Sequence, residues 1–156
     1  IEQAAVAPFE MKKIKSYLVV TALMLIYVAL VFFCCLHNFS SGPDLDLGKY
    51  FLGIRLDRYI HFTMFFPYPF VAWLFLNYNS RVNIYKRYTF SIILISGLFF
   101  ATLAEASQEM LTLYRDTDPF DFVANLAGIS VATLLVYVFN KPIKKISDWG
   151  LLNQMP

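Results

Sequence analysis

The chain has 156 residues, of which 58% are hydrophobic and only 15% charged, and its mean hydropathy is +0.56. A soluble domain of this size is less apolar and more charged, and a net charge of +2 gives no ground for a nucleic-acid partner. A bilayer span takes about 20 apolar residues, so four spans with short loops use most of the length and leave no room for a separate soluble domain.

The first ten residues, Ile1 to Glu10, read as a foreign leader, because Met11-Lys12-Lys13-Ile14-Lys15 looks like a natural bacterial start. The apolar stretch that follows, Tyr17–Leu36, is too long for a signal-peptide core of roughly 7–15 residues. It is therefore expected to stay as a first membrane helix. Cys34 and Cys35 are adjacent within it and cannot make a disulfide framework. They read as packed or lipid-facing thiols. Further spans are expected at Tyr59–Tyr78, Tyr88–Leu111 and Phe122–Phe139, with Tyr59, Tyr78, Tyr88, Tyr114 and Tyr137 near their ends as an aromatic belt. Pro67 and Pro69 predict a kink near Thr63–Phe66, since each removes a backbone donor and crowds the preceding turn. Neighbouring helices or side chains can satisfy the carbonyls so freed. Lys141 to Asn153, basic with Trp149 and paired leucines, forms a juxtamembrane tail suited to an anionic leaflet. The expected organisation is thus a leader (1–10), a four-helix membrane domain (11–140) and a basic tail (141–156).

Lysine and arginine orient the spans. Lys12, Lys13, Lys15, Arg81, Lys86, Arg87, Lys141, Lys144 and Lys145 fall on one side, and only Lys49, Arg55, Arg58 and Arg115 on the other. The positive-inside rule then puts both termini in the cytoplasm. The fold expectation is all-α, a four-transmembrane-helix bundle with both termini cytoplasmic.

With this topology, ionisable residues from three segments collect at the outer side. Asp57 and His61 are four apart at the start of the second span, Glu105 and Gln108 three apart near the end of the third, and Asp121 and Asn125 four apart at the start of the fourth. Such spacings make neighbours on a helix face. Arg58, Arg115, Asp116 and Asp118 lie close in sequence. Glu105 stands about 17 residues beyond Tyr88, roughly 25 Å along a helix, still inside a hydrocarbon layer about 30 Å thick. An ionisable residue there costs on the order of 3 kcal/mol and points to function with a partner. Arg115, Arg58 and His61 are the candidates. Gly97, Ala101 and Glu105 form a small-residue stripe, as do Ala124, Gly128 and Ala132, so the third and fourth spans are expected to cross closely there.

Two readings of this pocket stay open. In an enzyme acting on a lipidic or lipid-linked substrate, His61 oriented by Asp57 would be the general base. Glu105 would act as acid or base in its low-dielectric setting, with Asp121 as a further catalytic carboxylate. Arg58 and Arg115 would hold a phosphate, with Gln108, Asp118 and Asn125 completing the substrate site. In a non-catalytic protein, the same pocket would hold a headgroup or an acylated ligand without turnover. A proton-coupled carrier is a third reading that an intramembrane Glu105 permits. No cofactor is expected. A divalent metal would have His61, Glu105, Asp57 and Asp121 as its donor set.

These residues follow a known pattern. The run Asp57-Arg58-Tyr59-Ile60-His61-Phe62, then Glu105-Ala106-Ser107-Gln108, then Arg115, Asp118 and Asp121-Phe122-Val123-Ala124-Asn125-Leu126-Ala127-Gly128 resembles the VanZ-like family of small bacterial membrane proteins, named after the teicoplanin-resistance protein. The resemblance covers about Asp57 to Ala132. It departs at Arg58, where lysine is usual, and in the loop before Asp121, which lacks the Pro-Gly that often precedes the arginine. The resemblance implies a multi-pass protein of the bacterial cytoplasmic membrane linked to reduced glycopeptide susceptibility. Its expected partners are membrane lipids, a lipid-linked envelope precursor or a lipoglycopeptide. Teicoplanin carries a fatty acyl chain, so a membrane-level mechanism fits that preference.

Overall fold

A computed structural model of the chain describes residues 2–37, 49–79, 83–112 and 118–152, with side chains described for 17–37, 49–77, 88–112 and 118–140. The elements in chain order are α1 (Glu2–Leu36), β1 (Tyr50–Phe51), β2 (Ile54–Arg55), α2 (Leu56–Phe65), α3 (Tyr68–Asn79), α4 (Asn83–Leu111) and α5 (Pro119–Leu152). Among the described residues, four helical stretches are long and apolar enough to cross a membrane: Tyr17–Leu36, Leu56–Asn77, Tyr88–Leu111 and Pro119–Asn140. α1 begins well before Tyr17, and α5 continues through Pro142 to Leu152. The backbone of the expected tail is therefore an extension of the last span.

The second span is two helices. Phe66 and Pro67 separate α2 from α3, because neither proline can donate into the turn before it. The chain recovers with Phe70 and Val71 N–H groups donating to the Pro67 carbonyl at 3.1 and 3.2 Å. A neighbour also helps, since the Tyr27 hydroxyl of α1 donates to the Met64 carbonyl at 2.8 Å. Rings then fill the angle of the break. Phe100 of α4 packs against Phe65, Tyr68, Tyr27 and Phe32 at centroid separations of 5.2–6.3 Å. Such ring pairs each add about 0.5–1.5 kcal/mol beyond area burial.

Helix contact depends on two glycines. A Cβ on Gly128 would lie 2.5 Å from the Phe62 carbonyl oxygen, so α5 and α2 touch backbone to backbone. A Cβ on Gly97 would meet Ile129 at 3.0 Å and Tyr68 at 3.1 Å. The tightest crossing is thus between α2 and α5, and the expected close crossing of the third and fourth spans is the looser one, glycine against an isoleucine side chain. Ala101 and Ala132 are fully buried.

The outer surface is apolar, unlike that of a water-soluble bundle, and polar side chains are buried at one end beside the hydrophobic core. Leu25 and Ile26 on α1, Ile95 and Phe99 on α4, and Leu134 and Val138 on α5 are exposed, whereas Asp57, His61, Gln108, Asp121 and Asn125 are buried. Large contiguous apolar surface of this kind marks a face meant for something other than water. Polar side chains also bind the helices at both ends of the bundle. The Gln108 amide donates to the Cys35 carbonyl at 3.2 Å at one end, and the Trp73 indole donates to Asn140 Oδ1 at 3.2 Å at the other.

Candidate functional site

The polar end of the bundle has a buried layer and a rim. α2, α4 and α5 each supply the buried layer from one helical turn. Asn125 Nδ2 donates to Glu105 Oε1 at 2.5 Å, which turns Asn125 Oδ1 toward His61 Nδ1 at 3.0 Å. Glu105 Oε1 is itself 3.5 Å from His61 Nδ1, and Asp121 Oδ2 lies 3.7 Å from His61 Nε2. Three helices therefore converge on one imidazole.

Burial grades the members. His61 and Asn125 are 1% and 0% exposed, while the side chains of Asp121 and Glu105 are 7% and 12% exposed. Because the Asn125 carbonyl accepts at Nδ1, that nitrogen carries a proton. On the other side of the ring, Nε2 and the Asp121 carboxylate stand 3.7 Å apart, beyond direct hydrogen bonding. This arrangement can hold, release or accept a proton. Gly128, one turn beyond Asn125, lets α5 approach the Phe62 backbone beside His61, so the close backbone contact adjoins the His61–Asn125 bond.

The rim is built by local helix chemistry. Asp118 caps α5: its Oδ1 accepts the Phe120 N–H at 2.9 Å, and its carbonyl accepts the Asp121 N–H at 2.9 Å. Pro119 follows at the first helical position, where no donor is needed. The other Asp118 oxygen receives Arg55 Nη1 and Arg58 Nη2, each at 3.1 Å. Arg55 Nη2 continues to Asp57 Oδ2 at 2.5 Å, and Asp57 Oδ1 accepts the Arg58 N–H at 2.8 Å. Arg58 also lies 4.5 Å from the Phe120 ring centroid, a cation–π contact. The Phe120 N–H, and then the two arginines, hold the Asp118 carboxyl below the usual carboxylate range against the opposing effect of burial.

The expected site residues divide accordingly. His61, Glu105, Asp121 and Asn125 come together. Asp57, expected to orient His61, sits in the rim with Arg55 and the start of α2, and Asn125 holds the imidazole instead. Gln108, expected to touch substrate, is buried and bound to the Cys35 carbonyl. Asp118 is a cap and arginine clamp. Arg115 and Asp116 lie outside the described residues. Cys35 is buried and Cys34 half-buried. Among the described residues, no group of three His, Cys, Asp or Glu side chains is placed to hold a metal ion. Sequence reasoning passed over Arg55, which it used only to orient the spans. Its place two residues before Asp57, beside a helix start, was the available signal.

Fold and site together define a mostly helical chain, with four helices suited to a bilayer and a buried charged cluster at one end of the bundle. No protein-family profile and no solved structure matches it. The chain is similar to an uncharacterized protein of the fission yeast Schizosaccharomyces pombe, 38% identical over 85 residues, which are 54% of this chain and 49% of that protein. The matched stretch spans about half the length of this curated relative.

Proposed function

We propose that this is a multi-pass membrane protein whose buried cluster handles a proton during chemistry on a lipidic or lipid-linked substrate. The observation that carries the reading is the chain His61–Asn125–Glu105, with Asp121 on the second imidazole nitrogen. Charged groups at this depth are costly and are kept near lipid where they bind or move ions and protons. The apolar outer surface supports insertion, and the lysine and arginine bias supports cytoplasmic termini with the cluster toward the outer leaflet.

Graded burial suggests the division of labour. Glu105 is the most accessible member and meets the substrate as acid or base. His61 and Asn125 hold its carboxylate in place, and Asp121 sets a negative charge 3.7 Å from the second imidazole nitrogen. Headgroup phosphate would be received at the rim by Arg55 and Arg58, whose side chains are 34% and 23% exposed. That rim favours a second reading, in which the protein binds an anionic headgroup or an acylated ligand without turnover.

Membership of the VanZ-like group, location in a bacterial cytoplasmic membrane and a link to teicoplanin are part of this proposal and rest on the motif order from Asp57 to Gly128. Similarity to a fission yeast protein supports a substrate found in membranes generally over one confined to bacterial envelopes.

Comparative lipidomics of cells expressing wild type, Glu105→Gln or His61→Ala at matched folded abundance tests the reading. A lipid species altered by the wild type alone supports catalysis. An unchanged lipid profile, with headgroup binding lost in Arg58→Ala, supports the binder.

A further inference from the structure

The hairpin in front of α2 is at odds with its own local chemistry. Tyr50 pairs with Arg55 and Phe51 with Ile54, leaving the two-residue loop Leu52-Gly53. Both loop residues have positive φ, 51° and 80°, as a two-residue hairpin of the primed type requires. Asn-Gly is the preferred pair there, because a left-handed φ crowds a Cβ-bearing side chain and asparagine tolerates it. Leucine stands in that position, and it is 83% exposed. A local choice that opposes both turn propensity and burial points to a role outside the packing of the chain.

The neighbours extend the pattern. Tyr50, Phe51 and Ile54 are exposed as well. The hairpin is nevertheless held in a set orientation: the Tyr59 hydroxyl donates to the Phe51 carbonyl at 3.2 Å, the two rings meet edge to face at 6.1 Å, and the Leu56 N–H donates to the Lys49 carbonyl at 2.9 Å. Just beyond it, interspersed with the rim charges, Leu56 and Ile60 of α2 are also exposed, in the first turns of a stretch apolar enough to cross a bilayer. At the same end of the bundle, Met110, Leu111 and Phe120 are also exposed.

We propose that the Tyr50–Ile54 hairpin is a lipid-interface anchor, seated in the bilayer that the four helices cross, beside the charged end of the bundle. This rests on the membrane reading above. Adjacency to the apolar belt selects lipid as the occupant, and the tyrosines at its base suit the headgroup level. The anchor would hold the arginine rim at headgroup depth.

Tryptophan fluorescence of the full chain in phosphatidylcholine vesicles tests this. In a background of Trp73→Phe and Trp149→Phe, a single probe is placed by Ile54→Trp, by Leu52→Trp, or as a belt reference by Ile95→Trp on α4. The Ile54→Trp probe lies in a strand and does not depend on the left-handed turn position. Brominated lipids should quench the hairpin probes with a loss of intensity comparable to that of the reference. Bromines near the headgroup should quench them more than bromines deep in the chains, and aqueous iodide should leave them nearly unaffected. If the reference is quenched by lipid but the hairpin probes by iodide, the anchor is overturned and the spanning reading stands. Hairpin probes shielded from both quenchers are covered by protein, which also overturns the anchor. A reference untouched by brominated lipid overturns the spanning reading and the anchor together.

Discussion

Two charged layers lie within two helical turns of each other and obey different rules. The inner layer, His61, Glu105, Asp121 and Asn125, joins three helices and is almost wholly buried. The rim, Arg55, Asp57, Arg58 and Asp118, ties the start of α2 to the start of α5 and keeps its guanidiniums partly in the open. Charge–charge energy rises as the local dielectric falls, and an unsatisfied polar group costs most where water is absent. The inner layer is therefore demanding in geometry and suited to chemistry. The rim is tolerant, screened by salt, and suited to positioning helix ends or greeting an anion.

The largest effect should come from Asn125→Leu, which strips the bridge from both Glu105 and His61. A loss of about 3 kcal/mol is expected, read as a fall in the unfolding midpoint in detergent. A smaller loss than that of any rim variant would reverse the ranking of the two layers.

Gly128→Ala should follow, at about 2 kcal/mol. Its Cβ would lie 2.5 Å from the Phe62 carbonyl oxygen, so α2 must move off α5. Imidazole NMR should show the His61–Asn125 bond weakened in this variant, although neither partner has changed.

Double-mutant cycles compare the layers directly. The partly exposed Arg58–Asp118 pair should couple by no more than about 1 kcal/mol, and the coupling should shrink as salt is raised. The His61–Glu105 coupling should exceed it and resist salt. Equal couplings, or equal salt dependence, would dissolve the distinction.

Asp118→Ala removes a helix cap and should cost about 1 kcal/mol. Its pH dependence has a defined sign. The folded carboxyl titrates below its unfolded value, so its contribution is complete above about pH 4 and is lost as pH falls through the lower folded value. Between about pH 7 and pH 5 the difference between wild type and Asp118→Ala should not move; a change in that window would assign the rim's titration to another group.

The smallest effect is a gain. Leu52→Asn restores the pair that the turn prefers and should stabilise the folded chain by less than about 1 kcal/mol in detergent. In vesicles the same change should weaken lipid contact at the hairpin.

Much of this architecture could be read from the chain alone, because composition and periodicity act locally. Apolar runs of bilayer length appear as helices, and Pro67 and Pro69 break the second span. The i, i+4 spacing of Asp57 and His61 placed them on one face, yet which of them would meet Glu105 depended on the crossing of α2 over α5. That crossing follows from a single missing Cβ at Gly128 facing a carbonyl from a distant segment. The same contact decided that Asn125, not Asp57, holds the imidazole. It also left Arg55 and Asp57 to form a rim with Asp118, 60 or more residues away in sequence. Helix periodicity determines the residues that share a surface. Which surfaces meet, and therefore which charges become partners, is decided by backbone packing between helices far apart in the chain.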